Sequence, residues 1–283
     1  TNEPETITRV PATGSPASPV MRWLRYDSFG RMVLNVEPHA TTNFTSDITV
    51  SATPTSTGLK TWRYAYNANC ELVGSSDARA CGQNFYYDGV GRLIAEAFSP
   101  CEAHHPVWST PQLAPGATFG TGVEALYLFD DLSSRPGGAT PPAYAVSAPT
   151  LKGRLAAVYD RGQNVWLTYD GRGRLIKADK RVAAPGVPAT DPSVAYADDW
   201  FSRSVVYDAA DRPTKAGTGA QRSTTPQSLL VGSDGTSDVT TTYSKRGTVT
   251  SVGGSYGPLV ASVTRLADGR TSDVRYGDAA STT

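Results

Sequence analysis

The chain has 283 residues, with 26 basic and 26 acidic side chains, so its formal net charge at pH 7 is zero. That balance argues against nucleic acid or an acidic membrane surface as the main partner, because both select a basic excess. Glycine (27) and proline (20) are above average usage, no long 3.6-residue periodicity is present, and no apolar run nears bilayer-spanning length. Strands and turns are favoured over helices, and membrane insertion is not expected.

In chain order, residues 1–20 form a Pro/Thr/Ser-rich lead-in through Pro11, Pro16 and Pro19. With no initiator Met and no signal peptide at Thr1, the chain reads as a piece of something longer or a processed product. Strand character begins at residues 21–26 and returns over 33–39, where Pro38 stops it. Residues 41–58 are a Thr/Ser-rich connection with one candidate strand at Ile48-Thr49-Val50. Asn43-Phe44-Thr45 matches a glycosylation sequon there, a pattern read as chance. Residues 62–100 read as four strands, and 123–129 as a buried one. Residues 155–182 resume the hairpins and 200–276 are strand-like, with Thr240, Thr241 and Thr242 more polar. Loop insertions are expected near 99–122, 131–150, 183–199 and 217–235, inside a repeat region spanning 21–280; 281–283 is a tail.

One stretch organises these strands. Tyr87-Asp88-Gly89-Val90-Gly91-Arg92-Leu93-Ile94 recurs as Tyr169-Asp170-Gly171-Arg172-Gly173-Arg174-Leu175-Ile176, with one position in eight changed. Looser copies are Tyr26-Asp27-Ser28-Phe29-Gly30-Arg31, Tyr66-Asn67-Ala68-Asn69-Cys70-Glu71, Tyr207-Asp208-Ala209-Ala210-Asp211-Arg212 and Tyr243-Ser244-Lys245-Arg246-Gly247-Thr248. The residues before each tyrosine suit a strand. Asp or Asn after it starts a turn by accepting a backbone N–H two residues on. Glycine three residues later supplies the positive φ that closes a four-residue loop. Each copy therefore reads as one β-hairpin. The signature decays toward the C-terminus: Asp211 stands where glycine did, and Tyr276-Gly277-Asp278 is only a remnant.

The unit Tyr-Asp-x-x-Gly-Arg-apolar resembles the YD-repeat (RHS-repeat) family, which includes bacterial Rhs polymorphic toxins, Tc toxin shell components, wall-associated proteins and the teneurins. The resemblance covers roughly residues 21–280. It implies a long β-sheet spiralling into a hollow shell whose repeats are not catalytic.

The cysteines Cys70, Cys81 and Cys101 lie within 36 residues of each other and of His104 and His105. The hairpin reading puts Cys70 and Cys81 at opposite ends of one strand, about 20 Å apart at roughly 3.3 Å per residue, too far for a disulfide. Cys101 returns to the sheet edge of Cys81. That edge is open to three readings: a Cys81–Cys101 disulfide, a metal site of Cys81, Cys101, His104 and His105, or unlinked side chains. Cys70 is expected to be a buried small residue. Asp130-Asp131 and Asp198-Asp199 are read as solvated loop carboxylates, since adjacent strand residues face opposite ways. Gly89-Val90-Gly91 and Gly171-Arg172-Gly173 precede no helix and are turns, not phosphate loops. The repeated tyrosines and arginines are read as packing between successive hairpins, with a sugar-binding stripe as the alternative.

The expected fold is all-β, a meander of antiparallel hairpins stacked into a long, curved, twisted sheet. The expected function is a non-catalytic structural segment of a shell that encloses or displays another polypeptide, for toxin delivery, with no cofactor. Its partners would be other segments of a parent chain, copies of itself, or an enclosed toxin, and its location secreted or cell surface. The alternative is a secreted surface fibre, adhesion or carbohydrate-binding module that self-associates. An enzyme acting on cell-wall sugars is the third reading.

Overall fold

A computed structural model describes residues 6–14, 19–36, 61–77, 81–99, 123–135, 149–184, 196–219 and 236–277. The chain divides into two units, Thr1–Tyr127 and Leu128–Thr283. Among the described residues the regular structure is strand, apart from one 3-10 turn at Pro149–Leu151.

The first unit contains β1 (Thr6–Arg9), β2 (Val20–Tyr26), β3 (Met32–Val36), β4 (Thr61–Tyr66), β5 (Leu72–Ser76), β6 (Gly82–Tyr87) and β7 (Leu93–Ser99). The division between units falls within β8 (Val123–Phe129). Each strand of this unit pairs antiparallel with the next. Period-2 alternation decides which face is covered: Leu34 and Val36 are buried, as are their register partners Arg63 and Thr61, while Trp62 between those two is exposed. Burying a side chain such as Leu34 contributes about 1.5–3 kcal/mol over leaving it exposed. β1 adds a strand to the segment read as lead-in, because Thr6, Ile7 and Thr8 are β-branched and Thr6–Arg9 finds the free edge of β2. The candidate strand at Ile48-Thr49-Val50 lies outside the described residues, as do most of the four loop insertions.

The second unit contains β9 (Leu155–Asp160), β10 (Gln163–Tyr169), β11 (Leu175–Val182), β12 (Phe201–Tyr207), β13 (Pro213–Gly217), β14 (Asp238–Tyr243), β15 (Val249–Gly254), β16 (Gly257–Arg265) and β17 (Thr271–Tyr276). Again every pairing is antiparallel and between consecutive strands. Its core gathers at β9–β11, where Ala156, Ala157, Tyr159 and Trp166 are buried. From β14 to β17 no strand residue is fully buried, and β17 is exposed at all six positions. Those last strands rest on the hydrogen-bond ladder and cross-strand pairs instead.

A meander alternates its connections between two edges. The repeat turns therefore share one edge in each unit, joining β2 to β3, β4 to β5, β6 to β7, β10 to β11, β12 to β13, β14 to β15 and β16 to β17. Register shifts at this end of every one of these hairpins, so that Tyr26 opposes Met32 and Tyr169 opposes Leu175. Tyr276 ends β17 at the opposite edge. Tyr276 and Gly277 therefore lie away from the repeat-turn edge, Asp278 lies outside the described residues, and the last repeat turn among the described residues is at 266–269.

Candidate functional site

The turn edge recurs with nearly constant geometry. In the Tyr169 copy, the Asp170 amide donates to the Arg174 carbonyl (3.0 Å) and the Gly173 amide to the Asp170 carbonyl (2.9 Å). Asp170 Oδ1 accepts the amides of Arg172 (2.9 Å) and Arg174 (3.0 Å), and Oδ2 accepts Arg174 Nε at 2.7 Å. The same clip joins Asp27 to Arg31, Asp88 to Arg92 and Asp208 to Arg212. The Tyr66 copy inverts its polarity: Asn67 Oδ1 still accepts two amides, but Asn67 Nδ2 donates to Glu71 at 2.5 Å. In the Tyr243 copy, Ser244 and Thr248 make an uncharged version, hydroxyl to hydroxyl at 2.8 Å.

Two further copies escaped the sequence reading. Leu266 donates its amide to the Arg270 carbonyl (2.8 Å) and accepts the Gly269 amide (2.9 Å), with Arg265 in the tyrosine slot. The backbone pattern survives there without the tyrosine, and the carboxylate moves two residues on: Asp268 Oδ1 accepts the Arg270 amide (3.0 Å) and Oδ2 accepts Arg270 Nε (2.7 Å). The other copy is split. The Asp130 amide donates to the Arg154 carbonyl (3.0 Å) and Asp130 Oδ1 accepts the Gly153 amide (2.6 Å), so Phe129-Asp130 and Gly153-Arg154-Leu155 are two halves of one repeat turn. Asp130 is therefore a turn-closing carboxylate and not merely a solvated one.

Successive copies interlock. The Arg31 guanidinium lies 4.6 Å over the Tyr66 ring, Arg174 4.6 Å over Tyr207 and Arg212 4.6 Å over Tyr243. Arg154 of the split copy lies 5.7 Å over Tyr169. Each such cation–π contact contributes about 0.5–1 kcal/mol at an exposed site. The tyrosine hydroxyls add a second bond, each donated to the carbonyl just after the arginine position of the preceding copy. Tyr87 reaches Leu72 (3.0 Å), Tyr169 reaches Leu155 (2.9 Å), Tyr207 reaches Leu175 (3.1 Å) and Tyr243 reaches Pro213 (2.9 Å).

The positive-φ slot faces the same arginine. A Cβ on Gly173 would come within 2.3 Å of Arg154 Nη2, so this copy needs both the backbone freedom and the missing side chain, whereas Gly30 and Gly153 need the backbone freedom alone. Two non-glycine residues occupy the slot, Cys70 (φ 65°) and Asp211 (φ 61°). Asp211 turns the clash into an ion pair, accepting Arg174 Nη1 at 2.5 Å and Arg172 Nη1 at 2.9 Å. Cys70 is free and exposed, contrary to the expectation of a buried residue, because a side chain at the tip of this turn projects away from the sheet.

Electrostatics follow the clip. At Asp27 and Asp170 desolvation pushes the carboxyl up, but the arginine side chain and turn amides together hold it below its usual range. Asp88 behaves likewise, and at Asp208 the Arg212 side chain is the largest cause of the lowering. A depressed folded-state pKa contributes stability that is complete above the unfolded value near 3.8 and is lost as pH falls through the lower folded value. Urea midpoints are therefore expected to fall between about pH 5 and pH 2, and Asp170→Asn to flatten part of that slope. A midpoint constant across this window would remove the clips from the stability account.

Cys81 is disulfide-bonded; Cys101, His104 and His105 lie outside the described residues. A sulfur so bonded offers no thiolate to a metal. Among the described residues no group of three or more His, Cys, Asp or Glu side chains is placed to hold a metal ion. No helix among them is long and apolar enough to cross a membrane.

A second cluster, invisible in the sequence, is buried in the second unit. Tyr159, Asn164 and Arg181 are cross-strand neighbours, as are Trp166 and Asp179. Asp179 is fully buried and pairs with Lys177 (2.9 Å) and with the Ser202 hydroxyl. Burial pushes the Tyr159 hydroxyl up to about 12, against the opposing pull of the neighbouring Trp166, Arg135, Arg181 and Asn164 side chains. Tyr196 donates to the Asp160 carbonyl, and its hydroxyl is raised mainly by burial. Asp179 is tied to Lys177 and Ser202 across β11 and β12, an arrangement suited to holding these strands together.

No known protein family and no curated protein matches the chain. Solved structures do. The crystal structure of TcdB2-TccC3 is similar over 95% of this chain and 12% of that chain, at 13% identity and a TM-score of 0.50. TcdB2-TccC3-Cdc42 matches over the same shares at 13% identity and a TM-score of 0.49. The Photorhabdus luminescens Tc holotoxin pore matches over 91% of this chain and 13% of that one, at 12% identity and a TM-score of 0.39. The chain thus spans about one eighth of the length of the chains it matches, and the TcdB2-TccC3 likeness is one of fold.

Proposed function

We propose that this chain is a non-catalytic structural segment of a larger hairpin shell of the RHS/YD-repeat kind, which encloses or displays another polypeptide in toxin delivery. The observation that carries the proposal is the interlock of the turns. The tyrosines, aspartates, arginines and glycines that recur are engaged with one another from copy to copy, which is what a scaffold requires and what a reaction centre does not. The likeness in fold to TcdB2-TccC3 supports the same reading. At β17 the interlock is half filled: Arg270 pairs with Asp268 at 2.7 Å, and among the described residues no tyrosine ring lies under it. A further hairpin would supply that ring. A secreted or cell-surface location belongs to this reading.

A self-associating surface fibre is the second reading, favoured by a β17 exposed at all six positions with an open outer edge among the described residues. The denatured mass of the native polypeptide separates the two. A mass well above 29.9 kDa is expected for the shell; a 29.9 kDa native polypeptide that self-associates would overturn it. Alkylation in the same samples is expected to find one free thiol before reduction, Cys70, from pairing of Cys81 with Cys101. Three thiols before reduction would refute that pairing.

A further inference from the structure

We propose that the exposed face of β10–β12 binds an extended acidic peptide segment, seating an apolar side chain on its floor and a carboxylate between Lys180 and Arg203. The cleft there has a volume of about 480 Å³. Register places Val165 opposite Lys180, Lys180 opposite Phe201 and Ala178 opposite Arg203, so these residues share one face of three adjacent strands. Trp166, Asp179 and Ser202 alternate onto the other face. The floor is apolar, formed by Val165, Ala178, Val182 and Phe201, and the last two remain 37% exposed each.

Two like charges on diagonal positions of neighbouring strands disfavour one another, with backbones roughly 7–8 Å apart. Elsewhere in this unit Lys177, Lys215 and Arg174 each have a carboxylate within 3 Å. Lys180 and Arg203 have no ion pair among the described residues, and the exposed Asp198 and Asp199, which precede β12, make none either. Arg203 is not a freely swinging arm: its Nε donates to the Thr218 carbonyl at 3.2 Å, which fixes the guanidinium at the rim. A fixed guanidinium beside a lysine and an apolar floor complements a carboxylate carried next to an aromatic or aliphatic group. Three strands at about 4.8 Å spacing give the cleft the width of two or three side chains of an extended segment. The proposal stands independently of the shell reading.

The probe is a capped pentapeptide with phenylalanine between two glutamates, fluorescently labelled and titrated with the full chain at low salt, beside its glutamine counterpart. Binding is expected for the glutamate peptide only, weakening as salt rises. Lys180→Gln and Arg203→Gln should each weaken it by roughly three- to fivefold, while Lys245→Gln, at the turn edge, should leave it unchanged. Equal binding of the glutamine peptide, no effect of the two substitutions, or no binding at all would overturn the proposal. So would tighter binding of a short single-stranded oligonucleotide, which would make this a phosphate site. Circular dichroism of each variant keeps a folding defect from passing as a binding one.

Discussion

Gly173→Ala is expected to destabilise the second unit by about 2–3 kcal/mol, well beyond what the same change costs at two neighbouring glycines. Three positions separate the causes. Gly171 has no positive φ and nothing within 4 Å of an added Cβ, so Gly171→Ala should stay within about 0.5 kcal/mol. Gly153 has φ +74° and open space, so Gly153→Ala meets backbone strain alone, about 1 kcal/mol. Gly173 has φ +82° and the Arg154 guanidinium 2.3 Å from the new methyl. Arg154 can swing aside only by leaving the Thr150 carbonyl (2.7 Å) and the Tyr169 ring (5.7 Å). A double-mutant cycle closes the argument. With Arg154→Ala already present, Gly173→Ala should fall to the Gly153 level in urea melts, and an unchanged cost would mean that no clash exists.

The turn chemistry was legible because it is local. Asp170, Gly173 and Arg174 sit within five residues, and their spacing alone specifies which amide meets which carboxylate oxygen. The strands between turns were legible from β-branched and aromatic content, down to the buried strand at Val123–Phe129. What the sequence could not display were partners far apart in the chain. Asp130 and Gly153 make one turn across an insertion, and no window that slides along the chain joins them. The turn at Leu266–Gly269 is hidden for a different reason: Leu266 stands where the aspartate stood, and the carboxylate that clips Arg270 has moved to Asp268. Conversely Tyr276 carries the opening residue of the repeat but ends β17 at the other edge, which edge alternation in a meander decides and composition does not.

The role of Arg174 shows the same limit. Sequence spacing pairs it with Asp170, four residues away, which it does bond. Its stacking on Tyr207 and its ion pair with Asp211 depend on how the next hairpin lands, which only the register reveals. Asp211, read as a decayed glycine, is instead a substitution compensated by the arginines it attracts. Repeats of this kind can lose their consensus residue where the neighbouring copy supplies an opposite charge.

Trp166→Ala should be the most damaging single change in the second unit, costing about 3–5 kcal/mol. Trp166 is 1% exposed and stands on the covered face between Ala157 and Asp179. Its ring meets Trp200 edge-on, centroids 6.0 Å apart at 74°, and Arg181 lies 4.8 Å over Trp200 and 5.5 Å over Tyr196. Removing the indole therefore opens a cavity and also withdraws the surface on which Trp200 leans. Two readouts should move together: a lower urea midpoint and a red-shifted Trp200 emission as that ring gains water. Trp166→Phe, which keeps most of the ring volume, should recover the larger part of the midpoint. If Trp166→Ala cost less than about 1 kcal/mol, the buried row from Ala157 to Asp179 would not be the core of this unit, and its stability would have to come from the turn-edge interlock instead.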